Sequence, residues 1–489
     1  MQGVDIVLIN PGDRKQVYQG LGAELAAIEP PFWVAVLAAY LRQEKFSVAI
    51  IDANAENIAP DETAIRAASL KPLLSCVVVY GSQPSASTQN MTIAGGICRA
   101  LRKQGVGMIA LSGLHPSALP ERTMREEDVD FVIAGEGPDA LKALLTELAL
   151  PKQDFSALPG IWYRENGSIR STKAAPLISD LDRYLPVAAW DLLPMEVYRA
   201  HNWHCFDDIE QRSPYGAVYT SLGCPYNCVF CCINAPFGKP GIRYRSPERV
   251  VEEIALLANS YGVRNLKIVD ELFVLNEQHY MAIVEGIIAR GLDLNIWVYA
   301  RVDTVKTENL PRMKQAGINW LALGIESANP DVRDGADKRM QPRDIRELVR
   351  LIQDAGIRVI GNFIFGLPED TLETMEETLQ LAMELNCEFI NFYCAMAYPG
   401  SKLYEIAIRE GWELPAEWHG FSQHGYEMLP LPSRRLSAGE VLRFRDDAFH
   451  RYFSNPAYLE MIEKTFGSVV MEHLVAMSST RLKRKLLGD

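Results

Sequence analysis

The sequence predicts an α/β protein in three parts: a doubly wound parallel sheet, then a partial (β/α)6 barrel, then a mainly helical C-terminal region. Three observations predict it. Near-continuous apolar runs alternate with helix-period segments over residues 1–150, the alternation resumes at Gly216 for six strand–helix units, and it stops after residue 405. Strands that are apolar on both faces belong to parallel sheets covered by helices on each side. Six units are too few for a closed eight-unit barrel and enough for an open one.

The first sheet is read from five runs. These are Val4–Asn10, ending at Pro11-Gly12; Phe46–Asp52; Ser75–Tyr80, ending at Gly81-Ser82; Met108–Leu111, ending at Ser112-Gly113; and Phe131–Ala134, ending at Gly135-Glu136-Gly137. Phe32–Arg42 and Thr88–Lys103 have helical periodicity, and a last helix runs to Leu148. Ligands of such sheets sit beyond the carboxyl ends of the strands. The Asn, Gly and Ser residues there let a ligand approach the backbone, and they equally suit plain tight turns. Residues 151–213 break the pattern. Gly160–Thr172 reads as a hairpin turning at Asn166-Gly167, and an irregular stretch rich in Pro and aromatics follows, a linker packed between two domains.

The barrel spans residues 214–405. Strand Ala217–Ser221 leads into a cysteine loop, and Ser246 with Pro247 opens the next helix. Leu266–Val269 ends in Asp270-Glu271, Asn295–Tyr299 ends near Arg301, and Trp320–Leu323 ends in Gly324-Ile325-Glu326-Ser327. Val359–Phe365 ends in Gly366-Leu367-Pro368, and Phe389–Cys394 ends near Tyr398-Pro399-Gly400. Residues 406–489 read as helices and loops, with a basic tail, Arg481–Lys485, expected to be solvated.

Composition narrows the function classes. A net charge of −13 over 489 residues repels phosphate backbones, so no nucleic-acid partner is expected. Met1–Asn10 reads as a strand rather than a leader, and no apolar stretch approaches the roughly 20 residues that span a bilayer. A cytoplasmic protein without a membrane partner is expected. Four of the nine cysteines crowd between Cys224 and Cys232, which is unlike a disulfide framework and like a metal site in a reducing compartment.

Cys224, Cys228 and Cys231 have the spacing CxxxCxxC at a strand end. Three close thiolates suit a 4Fe–4S cluster, with one iron left for a small molecule. Structural zinc is the alternative, with Cys232 or Cys205 as fourth ligand, although zinc favours paired CxxC knuckles and no second pair exists. Cys232 points away from Cys231 if the segment is extended.

With these cysteines, residues 214–405 resemble the radical S-adenosylmethionine (SAM) superfamily. The resemblance implies a 4Fe–4S cluster on the three cysteines and SAM beside it. It places Phe230 near the adenine and the acidic pair Asp270-Glu271 at the methionine amino group. Glu326, followed by Ser327 and twelve residues later by Lys338, falls where the family holds ribose and carboxylate. Arg301 could serve the carboxylate, and Asn362 the nucleoside. Each charge also has a structural reading: Asp270 or Lys338 at the surface, Glu326 paired with Arg301. An acid suits the ammonium and a base the carboxylate. The cofactor carries the radical chemistry and the protein orients.

The first domain resembles the Rossmann-like cobalamin-binding domain of that superfamily's cobalamin class. Pro30-Pro31 precedes the helix containing Leu37–Arg42, Gly113-Leu114-His115-Pro116 resembles a Gly-Gly-x-His-Pro loop, and Gly135-Glu136-Gly137 a Gly-Glu-Gly turn. Asn10, Gly81, Ser82, Gly113, His115, Gly135, Glu136 and Gly137 would then cup the corrin. The Asp-x-His-x-x-Gly motif that supplies cobalt with a lower histidine in other cobalamin domains is absent, and His115 is more simply a loop-packing residue.

The resemblance implies a cobalamin-dependent radical SAM enzyme that forms a 5′-deoxyadenosyl radical and methylates an unactivated carbon of a small molecule. It also implies an electron donor such as flavodoxin or ferredoxin. Oxidative cyclisation or rearrangement without methyl transfer is the runner-up. A methylthiotransferase would need more cysteines in the first domain than Cys76 and Cys98, a corrinoid carrier would not need the cluster loop, and a glycyl-radical activase would lack the first domain. The C-terminal region, with Trp412, Trp418, His419, His424, Tyr426 and Arg445, is expected to close the barrel mouth. Tyr393, Cys394 and Tyr398 are the candidates for a hydrogen or proton donor.

Overall fold

A computed structural model describes residues 3–21, 25–81, 84–340 and 343–489. The first sheet has the order β2-β1-β3-β4-β5-β6-β7. Its parallel strands are β1 (Ile6–Asn10), β2 (Val48–Asp52), β3 (Leu74–Val79), β4 (Met108–Gly113) and β5 (Phe131–Ile133). The hairpin placed in the linker joins this sheet: β6 (Ile161–Glu165) pairs antiparallel with β5, and β7 (Ser168–Ser171) forms the edge. Alternation explains why. Ile161 and Tyr163 are buried on one face and Trp162 packs half-buried on the other, while Arg164 and Glu165 run out into water at the end of the strand.

The apolar strands bury as their composition requires. β3 is buried along its whole length, and helix Phe32–Gln43 is buried from Phe32 to Leu41. The stretch expected as one helix, Thr88–Lys103, is two: Pro84–Gln89 and Met91–Lys103. Ser87 pins the first of them to the strand ends, its hydroxyl donating to the Val79 carbonyl and accepting from the His115 backbone amide. Gly113 closes β4 at φ 133°, where a Cβ would sit 2.2 Å from the Val79 oxygen. Gly113→Ala is expected to cost about 2 kcal/mol, read as a lowered denaturant midpoint with an unchanged slope.

The second sheet runs β15-β14-β13-β12-β11-β8, all parallel. Its strands are β8 (Tyr215–Val218), β11 (Asn265–Ile268), β12 (Asn295–Arg301), β13 (Ile318–Glu326), β14 (Arg358–Phe365) and β15 (Phe389–Cys394). The short pair β9 (Ser221–Leu222) and β10 (Arg243–Tyr244) brackets the cysteine loop. The barrel is open, with β8 and β15 as edges.

Part of the linker plugs the amino end of this barrel. Trp203 meets Trp297, Trp320 and Phe389, all early in their strands, and His204 pairs with the Asn295 carbonyl at the start of β12. Another part is tied to the barrel through Glu253, which is itself held in a fully buried ion pair within the barrel. Arg245 Nη1 lies 2.8 Å from Glu253, the two side chains being 1% and 0% exposed. Glu253 also accepts from the Ala188 amide and the Trp190 indole.

The C-terminal region consists mainly of helices, Ala438–Phe453, Pro456–Phe466 and Ser468–Ser479. The basic tail is not simply solvated. Arg484 is buried, ion-paired to Asp446, and donates to the Gly425 and Gln423 carbonyls, since a guanidinium can satisfy several oxygens at once. Among the described residues, no helix is long and apolar enough to cross a membrane.

Candidate functional site

The carboxyl ends of both sheets face one cavity of about 490 Å³. On the first sheet it opens at the ends of β1 and β3, between which the chain reverses its direction of travel across the sheet. That is the crevice where open parallel sheets bind ligands. Asn10, Arg14 and Tyr18 after β1, and Tyr80, Gly81 and Gln89 after β3, form this wall. Trp33 stacks on Tyr80 at 4.7 Å.

The opposite wall is the cysteine loop. Gly223 turns into it at φ 90°, with a space for Cβ only 2.4 Å from the Gly241 oxygen. The Gly241 amide donates to the Cys224 carbonyl, and the Cys231 amide to Cys228. Val229 is held from both sides, donating to Ala336 and accepting from Leu403. Cys224, Cys228 and Cys231 are half-buried free thiols that all line the cavity. Burial pushes all three up, Cys224 to about 11, so thiolates here need the positive charge a metal supplies. Among the described residues, no three His, Cys, Asp or Glu side chains converge on one metal ion. Thiols spread along a loop suit a cluster, in which each iron takes its own sulfur. Cys205 lies in the plug at the far end of the barrel and cannot join them. Cys232 is almost wholly buried, yet it reaches the same wall.

The expected SAM residues divide. Phe230, Glu271, Arg301, Glu326, Lys338 and Asn362 line the cavity. Lys338 Nζ lies 2.7 Å from Glu326 Oε1, both side chains buried. Glu326 holds φ 65°, an uncommon conformation that marks functional sites. Gly324 leaves room for the pair, for a Cβ would be 2.7 Å from Glu326 Oε1 and 2.9 Å from Lys338 Nζ. Arg301 does not pair with Glu326. It holds Asp303 at 3.0 Å and lies 3.9 Å over the Tyr226 ring. Asn362 donates to Leu323 and accepts from Asn391.

Two of the expected residues face elsewhere. Asp270 turns its carboxylate to the Thr220 amide and hydroxyl and the Ser221 hydroxyl, at 2.5–2.6 Å, clamping the end of β11 to the β8–β9 connection. Of the acidic pair only Glu271 reaches the cavity, and burial pushes it up to about 7. Ser327 is turned to Thr378.

The expected corrin residues divide likewise. Asn10 and Gly81 line the cavity; Ser82 lies outside the described residues. Gly113, His115, Gly135, Glu136 and Gly137 do not border it, because β4 and β5 lie beyond β3, away from the crevice. His115 is buried, hydrogen-bonded to Thr88 and edge-on to Trp418 at 4.4 Å; burial pushes it down to about 3. Glu136 forms a bidentate pair with Arg243, joining the first domain to β10.

Tyr393, Cys394 and Tyr398 line the cavity. Gln423 clamps the Cys394 backbone through its amide, and Tyr398 donates to the Phe421 carbonyl. From the C-terminal region His424 and Gln423 reach the wall, whereas Trp418 and His419 pack on the first domain. Glu29, His201 and Trp203 are lining residues that sequence reasoning did not single out. Pro30-Pro31 drew attention to the next helix and not to the acid before it.

Comparison with known proteins follows this division. The Radical SAM superfamily matches residues 218–382, and the B12 binding domain matches residues 18–145. An uncharacterised methyltransferase of Pyrococcus horikoshii is 32% identical over 423 residues, 86% of this chain and 87% of that one. The anaerobic magnesium-protoporphyrin IX monomethyl ester cyclase of Rubrivivax gelatinosus is 27% identical over 451 residues, 91% of this chain and 77% of that one. The radical SAM methyltransferase TsrM from Kitasatospora setae, solved with cobalamin and a 4Fe–4S cluster, superposes with a TM-score of 0.69 at 19% identity. It covers 93% of this chain and 90% of its own, and shares the fold.

Proposed function

The chain belongs to the radical SAM superfamily, in the class that carries a B12-binding domain, and from that premise we propose that it is a methyltransferase acting on a carbon of a small molecule. One observation carries the reading: Cys224, Cys228 and Cys231 share a single cavity with the carboxyl ends of β1 and β3. Residues 1–150 would hold the corrinoid, residues 214–405 the cluster and SAM. When bound, the cluster supplies the electron that splits the SAM sulfonium, and the corrinoid supplies a carrier for the methyl group.

The chain's own residues orient and enclose. Glu271, pushed up by burial and close to the cysteine loop, would take the SAM ammonium, whose charge would favour the carboxylate. Lys338 would meet the carboxylate while Glu326 holds it in place, Phe230 would cover the adenine, and Asn362 would contact the nucleoside. Asn10 and Gly81 would meet the corrinoid from the opposite side. Tyr393 would be the donor candidate closest in kind, a phenol facing the cavity. A small electron carrier of the flavodoxin or ferredoxin type would reduce the cluster, in the reducing cytoplasm that nine free cysteines suit. Ring-forming oxidation is the second reading, favoured by the cyclase that aligns over 91% of the chain.

The test is anaerobic reconstitution with iron, sulfide and hydroxocobalamin, then metal analysis and reaction with SAM and dithionite. About four irons and one cobalt per chain are expected, with the iron lost and the cobalt kept in a Cys224→Ala/Cys228→Ala/Cys231→Ala variant. S-adenosylhomocysteine beside 5′-deoxyadenosine supports methyl transfer; 5′-deoxyadenosine alone favours the cyclase reading. Iron without cobalt overturns the corrinoid.

A further inference from the structure

The lower half of the barrel lumen carries a second set of side chains that the cofactors leave unused. β12 turns Trp297, Tyr299 and Arg301 into the cavity at alternate positions, so the lining descends about 13 Å from Arg301 to Trp297. At the lower level Lys267 is in register with both Trp297 and Ala217. Its ammonium lies 4.7 Å from the Trp297 ring and 3.1 Å from each oxygen of Glu29, which enters from the first domain. Glu29 retains 11% exposure and lines the cavity. His201 is 3.8 Å from Glu29 and stacks on Trp203 at 5.4 Å, and Trp203 meets Trp297 edge-on.

The charges here are matched. Lys267 offsets Glu29, and burial pushes His201 down to about 4 and His424 to about 3, so both rings are neutral at physiological pH. Towards the mouth Lys338 and Arg301 already hold Glu326 and Asp303. What the lower lumen offers a ligand is flat apolar walls and one carboxylate, whose two oxygens accept more hydrogen bonds than Lys267 supplies.

We propose that this lower lumen is the substrate subsite, and that it takes an uncharged, flat aromatic or conjugated molecule whose N–H or O–H donates to Glu29. The proposal rests on the reading of the upper cavity as the cofactor site. An anionic substrate would bring its charge beside Glu29, where the cation of this level, Lys267, is already paired; Arg14, a further lining cation, stands on the first-domain wall after β1. A neutral ring with one donor satisfies both features of the wall at once.

Equilibrium dialysis of the reconstituted protein against three naphthalenes of one ring shape tests this, with iron and cobalt counted in the same samples. The expected ranking is 2-naphthol first, binding one per chain and about tenfold or more tighter than 2-methoxynaphthalene, which lacks the donor, with anionic 2-naphthoate last. Glu29→Gln is expected to shrink the naphthol-over-ether ratio while ether binding stays. Equal binding of the two neutral probes, or preference for the naphthoate, overturns the subsite. If the variant does not fold, the ranking on the unaltered protein decides alone. Loaded metals with a failed ranking sink the subsite only; absent metals with a held ranking sink the cofactor reading only.

Discussion

Cys228→Ala is expected to strip the chain of most of its reconstituted iron and to lower reductive cleavage of SAM by well over a hundredfold. Losing a group that merely orients a metal ligand costs roughly 10–100-fold, and losing a ligand costs more. Cys228 sits where the loop is best held, between the Cys231 amide that donates to it and Val229, anchored to Ala336 and Leu403. The backbone therefore keeps its shape in the variant and only the sulfur is lost. Cys232→Ala is the control, since that thiol is adjacent, buried and outside the three-cysteine spacing. It should keep its iron. Iron analysis with 5′-deoxyadenosine quantified by chromatography reads both variants, and iron lost equally from each would show that the loop, not the ligand, had failed.

Arg245→Ala is expected to destabilise the barrel by roughly 3–5 kcal/mol, because it leaves the Glu253 carboxylate buried and unpaired. For a unit of this size that is a fall of roughly 6–20 °C in Tm. The pair is inaccessible to solvent, so screening does not reduce the effect. Arg245→Met/Glu253→Leu should recover only part of the loss. Glu253 is also the acceptor for the Ala188 amide and the Trp190 indole, and those donors stay unsatisfied in the double variant. Calorimetry of both variants separates the two costs; a double variant as stable as the parent would show that the linker contacts contribute nothing.

The parallel strands and the cysteine loop were legible because each is a local pattern. An apolar run bounded by Gly or Asn, and three cysteines within eight positions, need no knowledge of the rest of the chain. The acidic pair was legible as a pair, but not which member faces the ligand. Thr220 and Ser221, at the β8–β9 connection, capture Asp270 at the end of β11, a contact between residues about fifty positions apart. Gly113 and Gly137 read equally as ligand turns and as packing turns; the order β2-β1-β3-β4-β5 places them away from the crevice. Glu29, His201 and Trp203 escaped because they lie outside the periodic strands and α-helices, and only the docking of the linker under the barrel brings them together. Arg484 escaped for a related reason: a basic run near a chain end looks solvated until Asp446 and the Gly425 carbonyl are found beside it.

The plug built by Trp203 and His204 has a kinetic consequence. A lumen plugged at its amino end fills from the carboxyl side, so whatever is lodged against Trp297 lies deeper than the molecules at the cysteine loop and goes in before them. Loading of such a lumen is ordered, and an excess of SAM added before substrate should slow the first cycle relative to the reverse order of mixing.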